Sequence, residues 1–232
     1  MRAQYSRALI VGAGNGLSAA VARSFAKEGM AIALAARNPR KLDEISRAIG
    51  AKAFACDASV PQQVSGLFEN VAKTIGEPDV VVYNASARVR GPVGTLAPID
   101  VERALAVGAF GGFLVAREAA RLMLPKAHGA ILFTGASASV KGFAESSPFA
   151  MAKFALRGLA QSLARELHPH GIHVGHFVID GGIASQERRP TADRPDSMLD
   201  PDAIAESYLD LLRQDRSAWT WEMELRPWVE KF

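Results

Sequence analysis

Ile10-Val11-Gly12-Ala13-Gly14-Asn15-Gly16-Leu17-Ser18 follows the apolar pair Ala8-Leu9 and opens directly into a helix-like stretch, Ala19 to Glu28. A strand, a glycine-rich turn and a helix in that order form a cradle for phosphate. Unpaired backbone N–H groups point out of the helix N-terminus, the helix dipole favours negative charge, and glycine lets the backbone approach closely. The dinucleotide pattern Gly-x-Gly-x-x-Gly fails at its last position, Leu17. Gly-x-x-x-Gly-x-Gly matches at Gly12 and Gly16, with Ser18 at its third glycine. Serine is small enough for close helix–strand packing to survive there. Gly12, Gly14, Asn15, Gly16 and Leu17 are thus candidate phosphate-binding positions. The competing reading is an ordinary tight turn, and the setting between an apolar strand and a helix favours the cofactor reading.

Outward from this unit, short apolar runs alternate with longer helical patterns, the signature of repeated strand–helix units around a parallel sheet. Strands are expected at Ala8 to Gly12, Ala31 to Ala36, Ala51 to Cys56, Val80 to Asn84, Ala130 to Thr134, Val174 to Ile179 and Trp219 to Leu225. Helices are expected at about 16–28, 39–49, 61–75, 98–124, 148–168 and 201–214. No repeat or low-complexity tract interrupts the 232 residues, so one domain is expected throughout.

Composition narrows the partners. The net charge of +3 comes without a run of Lys/Arg and interleaved aromatics, which argues against nucleic acid. Cys56 is the sole cysteine, which excludes an intrachain disulfide and fits a reducing compartment. Met1 to Arg7 lacks the pattern of a signal peptide, and no apolar run reaches the roughly 20 residues needed to span a bilayer. A soluble cytoplasmic protein with no membrane partner is expected, and no metal site.

About 20 residues beyond the glycine loop, the second strand ends in Leu34-Ala35-Ala36-Arg37-Asn38. An acidic residue at this point would accept hydrogen bonds from an adenosine ribose, whereas an arginine pairs with a 2′-phosphate. Arg37, with Asn38 beside it, therefore points to NADP(H); a solvated surface arginine is the plainer alternative. Asp57, followed by Ala58, stands after the third strand, where its carboxylate suits an adenine amino group or, equally, the turn Asp57-Ala58-Ser59.

Phe149-Ala150-Met151-Ala152-Lys153 has the layout of a Tyr-x-x-x-Lys pair with phenylalanine at the tyrosine. One helical turn apart, the two positions share a face, so a phenol at 149 would be made more acidic by the Lys153 ammonium. Phenylalanine fills the volume and moves no proton. Ser147-Pro148 suits a cap and first turn, which puts Lys153 on the apolar face with Phe149, Ala152 and Leu156, where an ammonium needs polar partners.

On these motifs the chain resembles the short-chain dehydrogenase/reductase family along nearly its whole length. Val82-Tyr83-Asn84-Ala85-Ser86-Ala87 is similar to that family's Asn-Asn-Ala-Gly stretch, with Tyr83 and Ser86 as departures. The resemblance implies a Rossmann-type doubly wound α/β fold in three layers, α/β/α. It implies that Asn84 steadies the sheet beside the cofactor, that Ala85 and Ser86 pass along the adenosine ribose, and that Lys153 holds the nicotinamide ribose. In Ile179-Asp180-Gly181-Gly182-Ile183, Asp180 stands for the family's proline. The backbone of Ile183 is expected at the nicotinamide carboxamide and Ser185 near the phosphates. Residues 184–199 correspond to a variable substrate lid, whose Arg188, Arg189 and Arg194 suit an anionic substrate or simply solvent. Two long helices resemble those that pair subunits, implying a homodimer or homotetramer.

The proton-handling positions depart further. The family tetrad of Asn, Ser, Tyr and Lys falls on Gly108, Ala136, Phe149 and Lys153, so only the lysine is kept. Substitute donors are the Ser137 hydroxyl, the Tyr83 phenol, Asp180 if its pKa is raised, or water ordered by Lys153. Ser137 is the preferred catalytic partner of Lys153. The expected activity is NADP(H)-dependent hydride transfer on a carbonyl, alcohol or activated alkene. The alternative is a catalytically impaired cofactor sensor or assembly subunit.

Overall fold

The computed structural model describes residues 4–185 and 187–230. Seven parallel strands form one sheet in the order β3-β2-β1-β4-β5-β6-β7. They are β1 (Arg7–Val11), β2 (Ala31–Ala36), β3 (Lys52–Ala55), β4 (Val80–Tyr83), β5 (Gly129–Thr134), β6 (Ile172–Ile179) and β7 (Glu222–Leu225). The helices are α1 (Leu17–Lys27), α2 (Asp43–Ile49), α3 (Pro61–Ile75), α4 (Pro98–Leu105), α5 (Gly111–Met123), α6 (Ser147–Leu167) and α7 (Pro201–Leu212). Proline in the first turn starts α3, α4, α6 and α7, where its missing N–H removes no helical hydrogen bond.

Because strand side chains alternate between faces, each strand feeds two cores. Ile10, Leu34, Val82 and Leu132 pack beneath α1, α2 and α7. Leu9, Val11, Ala33, Val81 and Ile131 pack against α3, α5 and α6. The fold is the three-layer, doubly wound α/β arrangement expected from the sequence. Strand order reverses between β1 and β4, and the ends of these two strands open the crevice in which such sheets bind ligands.

Local departures from the expected boundaries have local causes. The 39–49 helix opens with a 3-10 turn at Pro39–Leu42 before α2. The 98–124 helix is divided by a π-helical turn at Ala106–Phe110, a distortion frequent beside functional sites. Helix α6 begins at Ser147 with Ser146 as its N-cap, so Ser147 is already helical and no side chain caps that end. β7 is confined to Glu222–Leu225, because Trp219 leaves the strand path to stack on His173 at a centroid distance of 4.4 Å. Ala184, Ser185 and residues 187–198 lie in no helix or strand, and the segment's stem is closed by Ala184 N–H to the Leu199 carbonyl and Leu199 N–H to the Gly182 carbonyl, each 2.8 Å.

At the crevice the β1 and β4 loops lie in contact. Gly12 has φ +82°, and a Cβ on it would stand 2.2 Å from the Ala85 nitrogen. Gly12→Ala is therefore expected to lower unfolding free energy by about 2 kcal/mol or more, read from urea denaturation, and to abolish dinucleotide binding.

Candidate functional site

The glycine loop is held from behind. Asn84 Nδ2 donates to Ser18 Oγ at 2.6 Å and Ser18 Oγ donates to the Gly12 carbonyl at 3.3 Å. The Asn84 N–H meets the Val11 carbonyl at 2.8 Å. Serine at the third glycine position thus ties α1 to the ends of β1 and β4.

Two cavities meet at this loop, sharing Gly12, Gly14, Asn84 and Ser86. The first, about 570 Å³, is also lined by Asn15, Arg37, Asn38, Asp57, Ala58 and Ala85. The second, about 380 Å³, is lined by Gly16, Leu17, Lys153, Ile183 and Ser185, with Ala136 and Phe149. The cofactor positions read from the sequence therefore lie along one continuous cleft.

Several of them also have local partners. Asn38 Oδ1 accepts from the Arg40 N–H at 3.2 Å, capping the 3-10 turn. Asp57 Oδ1 accepts from the Ser59 N–H at 3.0 Å and the Ser59 hydroxyl at 2.6 Å. Those two bonds, with Arg37 close by, hold the Asp57 carboxyl below the usual range. Ser185 Oγ accepts from the Arg188 N–H at 3.1 Å. Lys41, which the sequence reading passed over, joins Arg37 at the adenosine end. Its signal was a second cation in the turn after β2.

At the other end Lys153 is 4% exposed, and its Nζ donates to the Thr134 carbonyl at 2.7 Å. Burial first, then Arg88, pushes its pKa down to about 8. The Phe149 ring lies 5.9 Å from Lys153 Nζ and carries the Arg88 guanidinium at 4.7 Å. Arg88 also lines the cleft and was not singled out in the sequence. Its signal was the pair Arg88 and Arg90 directly after the Asn84 loop.

The substitute proton donors lie off the cleft lining or are engaged elsewhere. Ser137 is absent from the cleft lining and stands near enough to Asp180 to lower that carboxyl's pKa. The Tyr83 phenol is fully buried and donates to the Val107 carbonyl. Burial alone would raise the Asp180 carboxyl, but Ser137, Lys141 and Arg226 outweigh it and keep the pKa low. Asp180 is thus a buried carboxylate, 3.2 Å from Lys141 and 3.3 Å from Arg226, with no proton to give. Asp180 could serve as a donor only with a raised pKa, and the two cations that close on it work against that condition. Nor is the tetrad's asparagine position open, since a Cβ at Gly108 would stand 2.6 Å from the Ala152 Cβ.

Behind Lys153 lies a polar latch that the sequence did not reveal. Glu222 of β7 accepts from Arg157 at 2.6 and 2.7 Å and lies 3.0 Å from His176 Nδ1. Burial, more than any neighbour, pushes the His176 pKa down to about 4, so the ring is neutral near pH 7.

A family model described as short chain dehydrogenase matches residues 6–194. The chain is a short-chain dehydrogenase/reductase. It is 29% identical over 178 residues to short chain aldehyde dehydrogenase 1 of Euphorbia lathyris, covering 72% of this chain and 60% of that relative's length. The crystal structure of a short-chain dehydrogenase from Rhodopseudomonas palustris superimposes with a TM-score of 0.84 at 33% identity, covering 97% of this chain and all of that one. A metagenomic short-chain oxidoreductase in complex with NADP gives 0.83 at 27% identity, covering 96% of this chain and 97% of the other.

The family binds a nicotinamide cofactor, and the residues of this short-chain dehydrogenase/reductase fit one. The Cβ positions of Gly14 and Gly16 face open space, leaving room for phosphate against the backbone. Lys153 spends one N–H on Thr134, which leaves donors for ribose hydroxyls. Among the described residues no three metal-ligating side chains gather, and no helix is long and apolar enough to cross a membrane.

Lys153 makes stability depend on pH. The unfolded chain titrates this group near the ordinary 10.5 and the folded chain near 8. Between those values the unfolded state binds more protons, so ligand-free stability rises across that interval, and the penalty is fully present below it. Lys153→Met should raise the thermal midpoint at pH 7 and remove that rise, measured by thermal melts from pH 7 to 11. Gly108→Asn should lower the midpoint and restore no activity, because the amide would be driven into Ala152.

Proposed function

We propose that the protein is an NADP(H)-dependent oxidoreductase that moves a hydride to or from a carbonyl, alcohol or activated alkene without a tyrosine acid. The observation that carries this reading is the single cleft running from Arg37 and Lys41, past the glycine loop, to the buried Lys153. NADPH would supply the hydride; the chain supplies binding, orientation and charge. Arg37 and Lys41 pair with the 2′-phosphate, the N-terminus of α1 with the diphosphate, and Lys153 with the ribose next to the nicotinamide. The Ile183 backbone faces the carboxamide and Ser185 the phosphates.

The proton comes from the Lys153 ammonium or from water it orders, since Tyr83 and Asp180 are committed elsewhere and Ser137 is not among the lining residues. Loss of a positioned general acid costs roughly 10²–10⁴ in rate, while correct placement of the reacting carbon contributes on a comparable or larger scale. A slow but genuine reductase is the physical expectation. Cys56 adds no covalent chemistry, because burial and then Asp57 raise its thiol pKa to about 11.

A second reading, a cofactor sensor or assembly subunit, is favoured by the contact that shuts the asparagine position at Gly108. NADPH binding without turnover across a broad panel of carbonyls and enoyl compounds would select it. In either case we expect a homodimer or homotetramer in the cytoplasm. Phe110, Phe113, Met151 and Phe154, exposed on the π-turn, α5 and α6, would be covered by a second copy. Residues 184–199 would serve as the substrate lid.

Titration of protein fluorescence tests the cofactor assignment. NADPH should bind at least tenfold more tightly than NADH, and Arg37→Ala should erase most of that preference while changing NADH affinity little; equal affinities in the wild type would overturn it. Phe149→Tyr alone should raise ordinary alcohol dehydrogenase activity less than tenfold, measured as NADP+ reduction with a panel of secondary alcohols, because Ala136 and Gly108 remain.

A further inference from the structure

The nicotinamide end of the cleft is an unusual electrostatic environment. Lys153, Arg88 and Arg188 line it, and among the described residues no carboxylate does. Of the two acids adjacent in sequence to its lining residues, Asp180 is turned to Lys141 and Arg226, and Glu187 is exposed outside the lining. Arg90 adds a fourth positive charge close enough to repel Arg88. Neither the Arg88 nor the Arg188 guanidinium makes a hydrogen bond or ion pair among the described residues. Arg88 rests instead on the face of Phe149, 4.7 Å from its centroid, at the position where the family carries its phenol.

Like charges gathered at a partly desolvated site without a counterion repel one another, and an anion relieves the repulsion. A guanidinium seated on an aromatic face is held in orientation, and its N–H edge remains available for two parallel bonds to an oxyanion. The dinucleotide's own phosphates are already provided for: the glycine loop and α1 meet the diphosphate, and Arg37 with Lys41 the ribose phosphate. The cations at Phe149 therefore exceed what the cofactor needs.

We propose that Arg88, seated on Phe149, is the anchor for a substrate oxyanion, so that the protein acts on carboxylate- or phosphate-bearing compounds and not on neutral alcohols and ketones. This rests on the oxidoreductase reading for what happens next, but the binding itself does not. Arg188, on the lid side of the cleft, meets the same group from across it. Anchoring the substrate through a second group places its reacting carbon, a contribution separate from the proton that Phe149 cannot move.

Calorimetric titration of the full-length protein saturated with NADP+ tests this, using benzoate, phenyl phosphate and the neutral benzamide as probes. Benzoate or phenyl phosphate should bind at least tenfold more tightly than benzamide, and the tighter of the two identifies the anion. Arg88→Leu should weaken that binding tenfold or more and leave the NADP+ dissociation constant within threefold. Arg88→Lys, which keeps the charge without the fork, should fall between. Benzamide binding as tightly as both anions, or anion binding unchanged in Arg88→Leu, would overturn the proposal. So would a parallel loss of NADP+ and anion affinity, which would return Arg88 to the cofactor diphosphate. If wild-type protein binds no NADP+, the oxidoreductase reading fails; the anion titration without dinucleotide still decides the role of Arg88.

Discussion

The close contact of Gly12 with Ala85, backed by the Asn84–Ser18 hydrogen bond, is the constraint from which the site follows. A parallel sheet whose strand order reverses must part its loops somewhere, and here they part just beyond this contact. The loops touch at their base, where Gly12 meets Ala85, and the cleft opens beside that contact. The glycine loop supplies one side of the contact, and α1 starts from it. Charged groups in the cleft are then positioned relative to it: Arg37, Lys41 and Asp57 after β2 and β3, Arg88 after β4 over the Phe149 ring of α6, Lys153 on α6 and Arg188 after β6.

The two ends of the cleft obey different electrostatic rules. At the adenosine end Arg37 and Lys41 are exposed and solvated, with Asp57 nearby to balance them. At the nicotinamide end Lys153 is buried on a single backbone carbonyl and faces further cations. A buried ammonium with so few partners is unfavourable in isolation. Ligand hydroxyls and charge complete its surroundings, so the cleft is built for its occupied state. The His176–Glu222–Arg157 latch supports this end from behind, joining α6, which carries Phe149 and Lys153, to the last two strands of the sheet.

Much of this was legible in the chain itself. Short apolar runs alternating with helical patterns and the glycine turn carried the layered sheet, and the spacing of Gly12, Gly16, Arg37, Asn84 and Lys153 located the cleft, because these signals are local in the chain. What stayed hidden depends on contacts distant in sequence. Arg88 reads as a loop arginine until Phe149 is seen beneath it. Asp180 reads as a free acid until Lys141 and Arg226 close on it. Glu222 joins His176 and Arg157 only once β7 lies beside β6. Ser137, the preferred partner of Lys153 in the sequence, stands outside the cleft lining for the same reason: local spacing does not say which way a hydroxyl turns.

The approach of Gly108 to Ala152 also bears on how such a cleft can change over generations. Where two helices have closed to a distance that admits only a hydrogen atom, the gap holds no vacancy for an amide to reoccupy. Any route back to a full tetrad has to separate α6 from the π-turn before a side chain at 108 becomes tolerable. Single steps along that route lose packing before they gain chemistry. The open ground for selection lies instead at the mouth of the cleft, where Arg88, Arg188 and the 184–199 segment can be exchanged without disturbing a packed helix pair.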